Sequence, residues 1–126
     1  MTATDATLTA TDLRRAGYRF EFASGLFASG DDALACSKIA EALNAFHSAS
    51  KGEWADGKVP SALVAKYDQA ESFLQVCSDN LADALRHGAT SPAKGYRDAL
   101  RTKCAELHRW CDAYADALDD VFVTTF

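Results

Sequence analysis

Proline and glycine are scarce, two and seven residues in a chain of 126, which excludes collagen-like and low-complexity disordered chains. Uninterrupted apolar runs are also missing. A membrane-spanning helix needs about 18 or more such residues, so none is expected. The N-terminus, MTATDATLTATDLRR, lacks a basic segment followed by an apolar one and does not read as a secretory signal, so the chain is expected in the cytoplasm. Positive charge is short and unclustered: 13 Lys and Arg against 18 Asp and Glu give a net charge of −5. That removes the counterion release that drives most nucleic-acid binding, and no direct contact with DNA or RNA is expected. None of the four cysteines, Cys36, Cys77, Cys104 and Cys111, stands in a CxxC pair, so free thiols are expected. GxSxG and HExxH are absent from the sequence, the GxxxxGK spacing at Gly52 to Lys58 lacks the Ser or Thr that completes a phosphate-cradling loop because Val59 follows, and no cofactor is expected.

What is present is an ordinary globular composition, 48% hydrophobic and 25% charged, at a length that supports one core. Residues 1–10 repeat TATD at 2–5 and 9–12 and read as a flexible leader that ends in a cap at Thr9 or Thr11. Residues 11–126 form a single domain. Its first segment has two readings: Tyr18, Phe20 and Phe22 alternate as in a strand, while Leu13, Ala16, Phe20, Ala23 and Phe27 step as in a helix. Helix is preferred because a lone strand would find no pairing partner.

A second helix starts at a capping-box-like Ser29 to Asp32, buries Ala35, Ile39, Ala42 and Phe46, and ends near His47 to Ala49. SKGEWADGKVP then forms a surface connection carrying Trp54. Ser61 caps a third helix with apolar positions Leu63, Tyr67, Ala70, Leu74, Cys77, Leu81 and Ala84, which Gly88 ends. Ser91 and Pro92 open a fourth, with Leu100, Cys104, Leu107, Cys111, Tyr114, Leu118 and Val121 as its seam. The fold expected is all-α, an antiparallel bundle of about four helices with a long hairpin formed by the last two.

Once the core stripe of the first helix is assigned, Tyr18, Phe22 and Leu26 are left over at i, i+4 and i+8. Such a face is buried either inside the bundle or against another copy or another protein. Asp112, Asp116, Asp119 and Asp120 gather at the end of the fourth helix, where carboxylates oppose the helix dipole. Arg14 and Arg15 at the start of the first helix offer compensation. The alternative is an acidic docking surface for a basic partner, such as the groove of a nucleic-acid-handling enzyme, with the tail ending on Phe126 beside it.

Chemistry-bearing side chains form two weak constellations. Cys104, His108 and Cys111 share a helix face and Cys77 falls within about one layer, a set that suits zinc or copper(I), although the same positions suit small core residues. Arg101 and His108 give an R-x6-H spacing that resembles the Arg/His signature of HEPN-type helical ribonucleases. HEPN motifs usually have a shorter gap and a polar neighbour to the Arg, and here Thr102 follows it. The resemblance implies His108 as general acid or base on a ribose hydroxyl and Arg101 holding the phosphate. Cys36 and His47 lie about 16 Å apart along one helix and form no joint site. His87, beside Arg86, completes a helix C-terminus. The function expected is a non-catalytic interaction module, an adaptor, regulator or inhibitor, that self-associates and occupies a partner protein's surface. A HEPN-like ribonuclease and a metal- or thiol-binding bundle are the alternatives.

Overall fold

The computed structural model describes residues 3–51 and 60–125, and the side chains of 8–51 and 60–119. Four helices follow one another: α1 (Ala3–Ala28), α2 (Asp32–Lys51), α3 (Ser61–Arg86) and α4 (Thr90–Thr125). Lys38 of α2 lies over Phe22 of α1, Lys51 of α2 meets Asp68 of α3, Lys103 of α4 covers Phe73 of α3, and Arg14 of α1 reaches Asp116 of α4. Each neighbouring pair therefore runs antiparallel, in an up-down-up-down ring with α3 and α4 as its terminal hairpin. Packing is most extensive where α1 meets α4 and α2, and thinnest between α2 and α3.

The helical stripe of α1 wins over its strand-like alternation for a packing reason. Leu13, Ala16, Phe20, Ala23 and Phe27 are all buried, whereas alternation would have put Tyr18, Phe20 and Phe22 on one side. Phe46 of α2 is the hub of the core. It meets Phe20 of α1 edge-on, Tyr67 of α3 edge-on and Trp110 of α4 face-on, with ring centroids 6.3, 5.5 and 5.9 Å away. Alanines at 35, 42, 45 and 49 keep α2 close to its neighbours. Gly17 does the same for α1 against α4, because a methyl there would stand 3.3 Å from Cys111 Cβ and 3.2 Å from Asp112 Oδ1.

The helix ends depart from the expected caps. α1 begins at Ala3, so the leader expected to run to Ala10 is helical from Ala3, and Thr9 and Ala10 are buried. Ser29 does not cap α2. Its hydroxyl donates to the Leu26 carbonyl at the end of α1, and the Asp31 carbonyl takes the first α2 bond, from the Ala35 amide. α2 continues past Ala49 to Lys51. Pro60, not Ser61, is the cap residue of α3, without a side-chain bond. α4 starts one residue before Ser91, which leaves Pro92 in the first turn where no intrahelical N–H is required. Along α4 the seam passes from Cys111 to a buried Ala115, leaving Tyr114 and Leu118 half-buried, as Cys77 is on α3. Trp54, Val121 and Phe126 lie outside the described side chains.

Two glycines make the turns. Gly30 (φ 86°) and Gly88 (φ 66°) are left-handed, and each is followed by a residue whose amide bonds five residues back, Asp31 to Leu26 and Ala89 to Ala84. This is the Schellman closure that only glycine enters without strain. Gly88→Ala should therefore lower unfolding stability by about 1–2 kcal/mol in urea titration, and an unchanged midpoint would contradict this account of the hairpin turn.

Candidate interaction surface

The same rotation of α1 that buries Phe20 turns Tyr18 and Phe22 outward. Tyr18 is 67% and Phe22 45% exposed, and Leu26 is half-buried. Internal burial is thereby ruled out for the two rings. With Glu21 and Gly25 these residues line a shallow depression of about 390 Å3. Gly25 shapes it. A Cβ at Gly25 would touch nothing within 4 Å, so its missing side chain serves no packing inside the chain, although glycine in a helix costs about 0.5–1 kcal/mol relative to alanine. Leu34 of α2, 41% exposed, stands one turn before Lys38, the residue that lies over Phe22, and adds apolar surface at the α2 side of the strip.

The two edges of this strip carry opposite charge. Toward α2, Arg15 and Arg19 line a groove with Lys38 and Glu41. Lys38 sits 5.7 Å from the Phe22 ring centroid and pairs with Glu41 at 2.9 Å, and Arg15 approaches Asp12 at 3.4 Å. Burial at this edge raises the Asp12 carboxyl above its usual range, with Arg15 opposing. Toward α4 the groups are acidic. His108 Nδ1 donates to the Gly17 carbonyl at 2.9 Å, which directs Nε2 at Glu21 and Asp112, 3.5 and 3.6 Å away.

The acidic end of α4 is largely engaged within the bundle. Arg14 bonds Asp116 at 2.9 Å and Asp119 at 2.5 Å, contacts that raise its own pKa. Arg15 turns to Asp12 instead, and the Asp120 side chain lies outside the described residues. Asp116 and Asp119, which lie more than a turn before the end of α4, are in this way held by a cation from the middle of α1.

The pair that resembles the ribonuclease signature does not converge on a common acceptor. Arg101 is exposed and approaches Asp98 at 4.0 Å, while both His108 nitrogens face α1 and Asp112. His47 lies edge-on to Tyr67, and His87, the C-cap of α3, donates from Nδ1 to the Asp83 carbonyl. Cys104 and Cys111 are buried, Cys36 and Cys77 half-buried. Burial pushes the Cys104 and Cys111 thiols up to about 12, and it raises those of Cys36 and Cys77. Such protonated thiols pack as small apolar groups. Among the described residues no group of three His, Cys, Asp or Glu side chains could hold a metal ion, and no helix is long and apolar enough to cross a membrane.

Comparison with known proteins finds no match among family models, curated proteins or solved structures. The surface must therefore be read from its own chemistry.

The periodicity of α1 marks Tyr18, Phe22 and Leu26. It does not mark Lys38, Leu34 or Glu41, which join the strip only through the α1–α2 register. Gly25, seven residues after Tyr18 and hence on the same face, was the one further signal available in the sequence.

Proposed function

We propose that this chain is a non-catalytic protein-interaction module of the cytoplasm, an adaptor, regulator or inhibitor, which works by presenting the outer face of α1 to another polypeptide. The observation that carries this reading is the exposure of Tyr18 and Phe22 on consecutive turns of a helix whose opposite face is locked into the core. Two aromatic rings offer large contact area at low side-chain entropy cost, the composition typical of interface centres. The charged edges supply the rim that fixes orientation.

The test is the double variant Tyr18→Ser/Phe22→Ser, followed by light scattering and by capture from native lysate. It should lose the association shown by wild type and keep its helical circular dichroism, because neither ring is part of the core. Association that survives in the variant, or its absence in wild type, contradicts the reading.

A further inference from the structure

Resting on the α1 face as the contact surface, we propose that its occupant is a second copy of this chain, related by a two-fold axis that runs along α1, so that the two α1 helices lie parallel.

The apolar centre has a suitable size. Tyr18, Phe22, Leu26 and Leu34 together leave on the order of 300 Å2 of side chain in solvent, the larger part of the roughly 450 Å2 of apolar area in an interface that takes about 800 Å2 from each partner. Gly25 lies on this face with open space above it, a notch that admits a ring from a facing helix.

Charge selects the orientation. On the α2 edge three cations, Arg15, Arg19 and Lys38, outnumber the carboxylates of Asp12 and Glu41. On the α4 edge Glu21, Asp112, Asp116 and Asp119 outnumber Arg14 and Arg101. In a two-fold pair with α1 helices antiparallel, each edge faces its own copy, basic against basic and acidic against acidic. With the two-fold along α1, the basic edge of each copy faces the acidic edge of the other, and the attraction occurs twice. Complementary edges are thus satisfied by this chain alone, and a face built for an unrelated acidic or basic partner would have no need for both signs.

Two charge-reversed variants that keep every apolar residue of the face test this by light scattering and sedimentation at low ionic strength, with circular dichroism as the control for folding. Arg15→Glu/Arg19→Glu and Glu21→Lys/Asp112→Lys should each weaken dimerisation at least tenfold, and an equimolar mixture of the two should regain the dimer. They move the net charge of −5 by four in opposite directions, so overall repulsion cannot account for loss in both. A wild type that stays monomeric overturns the second copy as occupant, while Tyr18→Ser/Phe22→Ser still tests the face for another partner. A dimer indifferent to both reversals but dissolved by Tyr18→Ser/Phe22→Ser overturns the parallel arrangement and leaves the face reading standing. Folded variants that remain monomeric when mixed also overturn the proposal.

Discussion

Phe46→Ala should lower unfolding stability by about 3–5 kcal/mol, a large part of the roughly 5–15 kcal/mol available to a domain of this size. Phe46 is fully buried and is the side chain through which rings of all four helices meet. Truncation removes its transfer free energy and leaves a cavity whose walls belong to four separate elements, so no single shift can close it. Trp110 is stacked between Phe46 and Tyr114, the latter at 4.9 Å, and would lose one support. Urea titration should show the midpoint falling while the slope holds. A loss below about 1 kcal/mol would mean that Phe46 is not the hub of the core. Tyr18→Ser, which removes a ring that is mostly in water, should change stability by no more than about 0.5 kcal/mol.

Raising the pH above 9 should destabilise the protein steeply. The thiols of Cys104 and Cys111 have an ordinary value of 9.0 and are held near 12 by burial. Between these values the unfolded chain releases two protons that the native chain keeps, so protons leave on unfolding and stability falls as pH rises. The stabilisation is complete below about pH 9 and is lost on the way to 12, at about 1.4 kcal/mol per pH unit for each thiol. Tyr67, raised chiefly by burial and also by a bond to Glu71, adds a loss of the same sign. Urea titrations from pH 8 to 11 on wild type and on Cys104→Ala/Cys111→Ala separate the causes: the double variant should show a clearly flatter decline. Equal declines would show that the two thiols are not the groups responsible.

Periodicity in the sequence identified the helices because three- and four-residue steps of apolar side chains have few other solutions in a chain with so few turn residues. Leu13 through Phe27, Ala35 through Phe46 and Leu63 through Leu81 line the core as that spacing requires, with Cys77 half-buried at its margin. Caps were less legible, because Ser29, Ser61 and Ser91 all suit an N-cap locally and the backbone closure at Gly30 and the proline at 60 decide otherwise. The surface was half legible. Tyr18, Phe22 and Leu26 belong to one helix and follow from its wheel, whereas the opposite charge of the two edges comes from Lys38 of α2 and Asp112 of α4, whose places depend on tertiary register. Arg101 and His108 show the reverse case, a spacing with chemical meaning in sequence that packing resolves into separate local roles: His108 ties α4 to the Gly17 carbonyl, and Arg101 keeps to its own helix.

The central claim is that the outer face of α1 is where this protein meets another chain. A photo-crosslinking amino acid placed at position 18, compared with one at the exposed, polar position 94, tests it most directly. Irradiation in native lysate should give one adduct of defined mass from position 18 and none from 94; twice the chain's own mass would mean a second copy. No adduct from position 18, or the same adducts from both positions, would contradict the claim.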